Sequence, residues 1–164
     1  MTNKVYYTNT DVESWCSTIV RDMSLDGWRP DIVVGLTRGG LVPANLISQY
    51  YNAPMQTLKI SFRDSDVTEH SIELCKKAID RHRILIVDDI NDSGATLNWI
   101  KQDWPSGCFP HDDEWNRIWG DNVRFAVLTH NYSSTFKDPD YHVWTVNKAE
   151  KDCWLVYPWE EFWK

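Results

Sequence analysis

The sequence predicts an α/β domain built on a mainly parallel sheet. Residues 31–36 and 84–87 contain short apolar runs, and β-branched residues fill three of the four positions of the second, as is typical of strands buried on both faces. Each run leads into a turn containing glycine, and a helical pattern follows. The 164 residues suffice for a single domain with its own core, because a chain of this length buries about 70% of its unfolded surface.

Helical and strand patterns alternate along the chain. Thr10 and Glu13 match a capping box, after which apolar residues recur at helical spacing. Pro43 falls in the first turn of a second helix, where its missing N–H costs nothing. Pro105 is expected to close a later helix. The predicted helices cover 11–23, 41–50, 71–80 and 97–102, and the predicted strands cover 31–36, 55–60, 84–87, 123–129 and 142–146.

Two segments lack the periodicity of either element. Residues 61–70 are polar and predict a loop. Residues 103–122 combine acidic side chains, three Trp residues and several Pro and Gly residues, with His111 beside the acidic group. We predict a solvated insertion here rather than a metal cluster, because adjacent residues along a loop rarely converge on one ion.

The composition narrows the classes of function. A formal net charge of −7 argues against an extended nucleic-acid-binding face. It fits an enzyme that binds an anionic substrate through a few local groups.

No apolar run approaches the ~20 residues of a membrane span, and a signal peptide's apolar core is missing, so we expect a cytoplasmic protein without membrane contact. The four cysteines are widely spaced without a CxxC pair, which predicts reduced thiols rather than zinc ligands. Most of the ten Trp residues are expected to pack or to anchor surfaces.

The most informative stretch begins at the strand of residues 84–87. The apolar run is expected to stop at Asp88 and Asp89, whose carboxylates suit sugar hydroxyls and a hard divalent cation such as Mg²⁺. The turn Asp92-Ser93-Gly94-Ala95-Thr96 leads into a helix, so its backbone N–H groups favour a phosphate. Thr37-Arg38-Gly39-Gly40 repeats this arrangement with an arginine after the strand at 31–36 and suits pyrophosphate.

Both motifs resemble those of a known family. Residues 86–96 resemble the signature for phosphoribosyl pyrophosphate (PRPP) in the type I phosphoribosyltransferases, and 35–43 resembles the pyrophosphate loop of the xanthine-guanine and hypoxanthine branch. A generic strand-loop-helix unit with an acidic edge would explain the acidic pair, but not the order of all eleven residues from 86 to 96. In relatives this pyrophosphate loop often carries a non-proline cis peptide, which would fall at Thr37–Arg38.

The resemblance covers nearly the whole chain and implies one phosphoribosyltransferase domain over 1–164. It implies the type I phosphoribosyltransferase fold, in which a central, mainly parallel sheet is flanked by helices and carries a small C-terminal hood at about 140–164. A flexible loop at about 62–70 would close over the active site and exclude water. PRPP and a nucleobase are the implied ligands, Mg²⁺ is the implied cofactor, and a homo-oligomer, as a dimer or tetramer, is the implied assembly.

The implied activity is transfer of a phosphoribosyl group from PRPP to N9 of a 6-oxopurine, with release of pyrophosphate, in purine salvage. Asp92 is the implied general base for a proton of the purine's imidazole ring. Trp154 would stack on the base, and the backbone after it would read the base edge. The other implied site residues are Asp88, Asp89, Ser93, Gly94, Ala95 and Thr96 for PRPP, Asp88 and Asp89 for the metal, Thr37, Arg38 and Gly39 for pyrophosphate, and Leu155 and Asn131 beside Trp154 for the purine.

One position departs from the family pattern. Relatives place a lysine just after the strand equivalent to 123–129, where its ammonium reads the 6-oxo group, whereas this chain has Asn131 there with His130 beside it. An amide both donates and accepts, so discrimination between 6-oxo and 6-amino rings should weaken, unless Lys137 reaches into the pocket instead. Two alternatives therefore stay open: a phosphoribosyltransferase for another base, and a PRPP-sensing regulatory protein without catalysis.

Overall fold

The computed structural model describes residues 2–60, 68–108 and 112–164. The described part of the chain forms a five-stranded sheet, a two-stranded sheet and helices. The helices are α1 (Asn9–Leu25), α2 (Leu41–Tyr51), α3 (Ile72–Ile79), α4 (Ala95–Gly107) and α5 (Asp112–Ile118). The strands are β1 (Asn3–Tyr6), β2 (Ile32–Thr37), β3 (Met55–Lys59), β4 (Ile84–Asn91), β5 (Val123–Asn131), β6 (Tyr141–Val146) and β7 (Cys153–Val156).

The larger sheet is parallel throughout. Its strand order is β3-β2-β4-β5-β6, with β4 in the middle, and each neighbouring pair runs in parallel. The smaller sheet pairs β1 with β7, also in parallel. The predicted α/β class with a mainly parallel sheet is therefore confirmed. Because parallel strands end at the same edge, the turns after β2, β4 and β5 meet at one side of the molecule.

Two apolar clusters cover the two faces of this sheet. Val34 and Ile86 belong to a cluster with residues of α3, α4 and α5, whereas Val33 and Leu85 belong to a cluster with residues of α1 and α2. Successive side chains of a strand point to opposite faces, so a strand covered on both sides must be apolar at every position. This burial explains the unbroken apolar runs of β2 and β4.

Helix α1 begins earlier than the capping box at Thr10 and Glu13 predicts. Thr8 is the N-cap: its Oγ1 accepts from the Asp11 N–H at 3.0 Å, and the Asp11 carboxylate accepts from the Thr8 N–H at 2.8 Å. Two pairs of residues have the spacing of a capping box, Thr8 with Asp11 and Thr10 with Glu13, and the structure uses the first pair. The predicted apolar face is buried all the same, through Val12, Cys16, Ile19, Val20 and Met23.

The prediction of a solvated insertion at 103–122 is wrong. Helix α4 continues through Pro105, and Trp104 and Trp115 are 0% and 2% exposed, with ring centroids 6.5 Å apart. Leu97, Ile100 and Trp104 all lie on the buried side of α4, so apolar burial outweighs the helix-breaking residues. Within the described ranges, no group of three or more His, Cys, Asp or Glu side chains could hold a metal ion, and His111 lies outside those ranges.

Three further predictions concern the cysteines, membrane spans and a flexible loop. The four cysteines are free and buried, in agreement with the prediction of reduced thiols. None of the helices in residues 2–60, 68–108 and 112–164 is long and apolar enough to cross a membrane. The flexible loop expected at about 62–70 falls mainly on residues 61–67, outside the described part of the chain. Strands β1 and β7 were not expected.

Replacing Trp104 tests whether the 103–122 segment belongs to the core. Trp104→Ala should lower the free energy of unfolding by about 3–5 kcal/mol, because it removes a fully buried ring and leaves a cavity. Trp163→Ala is the matched control: this Trp is 67% exposed, so its loss should change stability by about 0.5 kcal/mol or less. Urea denaturation followed by circular dichroism measures both variants, and equal stability losses would contradict the assignment.

Candidate active site

The acidic pair lies on the central strand rather than after it. The strand was expected to stop at Asp88, but β4 continues to Asn91, with Asp88 beside Val127 of β5 and Asn91 beside His130. The longer partner strand β5 supplies backbone hydrogen bonds beyond the apolar run, which periodicity alone does not reveal. Each acidic carboxylate accepts from the next backbone N–H: Asp88 Oδ1 from Asp89 at 2.9 Å, and Asp89 Oδ1 from Ile90 at 2.8 Å. The sheet therefore holds both carboxylates at its edge.

The Arg-Gly-Gly turn after β2 packs directly on the end of β4. The Thr37–Arg38 peptide is cis, as the resemblance implies. A Cβ on Gly39 would overlap the Asp89 carboxylate, and a Cβ on Gly40 would overlap the Val87 carbonyl oxygen, so bare backbone permits this approach. The Arg38 side chain is exposed and forms no ion pair with a described residue. The turn thus presents a cation and backbone groups beside the acidic pair.

The turn before α4 presents backbone N–H groups at the N-terminus of a helix. Gly94 is the N-cap of α4 with φ 90°, and as a glycine it has no side chain with which to cap the helix. The first turn carries no acidic residue, so the N-terminal N–H groups and the helix dipole favour a negatively charged ligand. Ser93 Oγ accepts from the Ala95 N–H at 3.2 Å. The turn Ser93-Gly94-Ala95-Thr96 therefore leads into a helix as predicted, and its binding of a phosphate stays a prediction.

The segment after β5 braces this turn, which sequence reasoning missed. The Ser93 carbonyl accepts from the Thr135 N–H at 2.9 Å and from Thr135 Oγ1 at 2.8 Å. A Cβ on Gly94 would stand 2.5 Å from the Phe136 nitrogen and 2.7 Å from Ser134 Oγ. Gly94 thus meets two requirements at once, a positive φ and close contact with a neighbouring backbone. The run of hydroxyl residues at 133–135 was the available sequence signal.

A buried polar network fixes the brace to the central strand. Asn91 Nδ2 donates to the Phe136 carbonyl at 2.6 Å and lies 3.1 Å from His130 Nδ1, while Asn91 Oδ1 accepts from Ser134 Oγ at 2.9 Å. Burial lowers the pKa of His130, and nearby His142 lowers it further. His130 is therefore favoured in its neutral form, with Nδ1 accepting from the amide.

Asp92, the predicted base, is held by two side chains. Asn131 Nδ2 donates to Asp92 Oδ1 at 3.2 Å and to the Asp92 carbonyl at 3.1 Å, and Lys148 Nζ lies 3.0 Å from Asp92 Oδ2. Asn131 therefore reaches the expected place, although its purine contact stays a prediction. Lys137 donates instead to the Tyr132 carbonyl at 3.2 Å. Lys148 was missed because it lies 56 residues from Asp92 in a turn without a motif.

The hood is tied to the acidic pair by Tyr157. Its buried hydroxyl lies 3.0 Å from the Asp89 carbonyl oxygen and 2.8 Å from Thr129 Oγ1, so it donates to one and accepts from the other. Burial raises the pKa of Tyr157 well above its usual value, which keeps the hydroxyl proton in place. In β7 the Trp154 side chain is 42% exposed, whereas the Leu155 side chain is buried. The stacking of Trp154 on a base stays a prediction.

The order of these motifs agrees with a known sequence family. A sequence model described as the phosphoribosyl transferase domain matches residues 6–160. The chain belongs to this family. Membership confirms the resemblance on which the sequence-based assignment rests. It does not test the residue roles, so the assignments at Thr37, Arg38, Asp88, Asp89 and Asp92 remain predictions for the geometry to support.

Individual proteins that are similar to this chain are also named as phosphoribosyltransferases. Xanthine phosphoribosyltransferase 1 of Saccharomyces cerevisiae is 22% identical over an alignment of 187 positions. The alignment covers 96% of this chain and 90% of the relative. The xanthine-guanine phosphoribosyltransferase of Cereibacter sphaeroides is 30% identical over 146 residues, covering 83% and 75%. The crystal structure of a purine phosphoribosyltransferase from Pyrococcus horikoshii superposes with a TM-score of 0.67 at 24% identity, covering 97% and 95% of the two chains. This last likeness shows the phosphoribosyltransferase fold.

Replacing Gly94 tests the phosphate turn. Gly94→Ala should weaken PRPP binding about tenfold or more, because the methyl group must displace Phe136 and the residue strains at φ 90°. Isothermal titration calorimetry measures the affinity, with circular dichroism to show that the variant is folded. Gly107→Ala in the last turn of α4 is the control, since a Cβ there meets no heavy atom within 4 Å. Wild-type affinity in a folded Gly94→Ala variant would contradict the phosphate assignment.

Proposed function

We propose that the protein transfers the phosphoribosyl group of PRPP to N9 of a 6-oxopurine, such as hypoxanthine, guanine or xanthine, and releases pyrophosphate, as in purine salvage. The observation that carries this proposal is the placement of three elements at one sheet edge: the Thr37–Gly40 turn, the acidic pair on β4 and the N-terminus of α4. Relatives named as xanthine and xanthine-guanine phosphoribosyltransferases support the purine as acceptor.

The three elements divide PRPP between them. The backbone N–H groups of Ser93, Gly94, Ala95 and Thr96 would bind the 5′-phosphate at the N-terminus of α4. Arg38 would bind the pyrophosphate as an exposed cation, together with the backbone of Thr37 and Gly39. Asp88 and Asp89 would accept hydrogen bonds from the ribose hydroxyls that lie between the two anions. The contact of Gly39 with the Asp89 carboxylate keeps these two parts of the site together.

The residues present fit Mg²⁺. Asp88 and Asp89 offer hard carboxylate oxygens, and Mg²⁺ is usually held by one or two carboxylates together with substrate phosphates. When bound, Mg²⁺ would neutralise the charge that develops on the departing pyrophosphate.

Asp92 would take a proton from the imidazole ring of the purine. As the bond from N9 to C1′ of the ribose forms, the bond from C1′ to the pyrophosphate oxygen breaks, and the proton on N7 passes to the Asp92 carboxylate. Asn131 and Lys148 hold this carboxylate in place. Proton removal keeps positive charge from accumulating on the purine as the new bond forms.

The hood would hold the base. Trp154, whose side chain is partly exposed, would stack on the purine. The Val156 carbonyl accepts from the Tyr7 N–H, so the neighbouring backbone N–H and C=O of Leu155 point away from β1, to the open edge of β7. These groups can therefore read the edge of a base.

The homo-oligomeric state and the cytoplasmic location remain predictions from the sequence.

A pyrophosphate-release assay tests the proposed function. The protein is supplied with PRPP, Mg²⁺ and one base at a time: hypoxanthine, guanine, xanthine, adenine, uracil or orotate. Release with one or more of the three 6-oxopurines is the expected result. Release only with adenine or a pyrimidine would reassign the acceptor, and PRPP binding without release from any base would favour a regulatory protein.

Replacing Asp92 tests its role as base. Asp92→Asn should lower turnover about 10²-fold or more, because the amide cannot take the ring proton, while PRPP affinity is retained. Stopped-flow pyrophosphate release measures turnover, and calorimetry measures PRPP binding. Asp113→Asn, an exposed carboxylate on α5, is the matched control and should keep wild-type turnover. An Asp92→Asn variant with unchanged turnover would remove the residue from the mechanism.

A further inference from the structure

The turn after β6 places a lysine beside Asp92. Lys148 follows Asn147, whose carbonyl accepts from the Glu150 and Lys151 N–H groups at 3.1 and 3.0 Å. The Lys148 N–H donates to Asn131 Oδ1 at 3.0 Å, which fixes the turn to the end of β5. The side chain then reaches Asp92, where Nζ stands 3.0 Å from Oδ2. Lys148 is therefore positioned by its own backbone and not only by its charge.

Asn131 is fully occupied by its protein partners. Its Nδ2 donates to Asp92, and its Oδ1 accepts from the Ser133 N–H at 3.3 Å, from Ser133 Oγ at 2.9 Å and from the Lys148 N–H at 3.0 Å. A base that used this amide would have to break one of these hydrogen bonds. The geometry makes Asn131 a positioning residue for Asp92 and Lys148.

The Lys148 ammonium can donate more hydrogen bonds than Asp92 accepts from it. A lysine ammonium carries three N–H donors and no acceptor, and Asp92 Oδ2 takes one of them. Among the described residues Nζ has no other hydrogen-bond partner, although the side chain is only 16% exposed. An ammonium in this partly desolvated position favours a ligand that brings an acceptor oxygen to it.

We propose that Lys148 selects the base by donating to an oxo group that lies next to the ring nitrogen facing Asp92. The proposal rests on the proposed function, because it assumes that a purine places N7 against Asp92. In a 6-oxopurine, O6 lies on the same edge as N7 and would accept from Nζ. In a 6-aminopurine, the exocyclic amine would turn an N–H towards the ammonium and leave donor against donor.

Nucleotide binding tests the selection without any need for turnover. Calorimetry with IMP and with AMP compares the wild-type protein with Lys148→Met, Lys148→Arg and the control Lys151→Met, an exposed lysine of the same turn. We expect the wild-type protein and the control to prefer IMP. Lys148→Met should lose about tenfold to a hundredfold in IMP affinity and stay within about twofold for AMP, whereas Lys148→Arg should retain the preference for IMP.

The outcomes separate this inference from the proposed function. An unchanged ratio of IMP to AMP affinity in Lys148→Met, equal wild-type affinity for both nucleotides, or binding of neither would overturn the role of Lys148. A parallel loss of both affinities would show a merely structural residue and overturn it as well. Lys148-dependent preference for IMP in a protein that releases no pyrophosphate would support the inference and sink the proposed transfer reaction alone.

Discussion

The whole site depends on the close approach of two backbones, the Gly39-Gly40 turn and the end of β4. Parallel pairing of β2 with β4 brings the two strand ends to one edge, but only residues without a Cβ can then lie against the Val87 carbonyl and the Asp89 carboxylate. The contact places a cationic turn beside an acidic strand end. This arrangement is what would let the site hold a pyrophosphate group and the sugar attached to it.

Further hydrogen bonds attach the neighbouring loops to the end of β4. The segment after β5 carries the phosphate turn through Ser93 and Thr135, and the buried Asn91–Ser134 hydrogen bond fixes that segment to β4. The hood is attached at the same strand end, by Tyr157 at the Asp89 carbonyl. The parts that would bind phosphate, sugar and base are thus all anchored to β4. Rigid anchoring suits a reaction in which two bound molecules must meet at one carbon atom.

Sequence reasoning reached the features that periodicity and local order record. The apolar runs of β2 and β4, the apolar face of α1 and the turn before α4 all follow from spacing within about a dozen residues. It failed where distant segments decide the outcome. The end of β4 depends on β5, burial of Trp104 outweighs Pro105, and the contact between Lys148 and Asp92 joins residues 56 positions apart. The choice of Thr8 over Thr10 shows that even local signals can be degenerate.

The pairing of β1 with β7 has a consequence for the order in which the molecule is completed. The turns that would face phosphate, pyrophosphate and sugar are encoded before residue 97, and their brace ends at Phe136, whereas β7 in the hood pairs with β1 at the start of the chain. During synthesis the anion-binding edge can therefore assemble before the pocket for the base exists. Strand β1 can pair with β7 only after Cys153–Val156 is synthesised, so the half of the site that would choose the acceptor is the last to be completed.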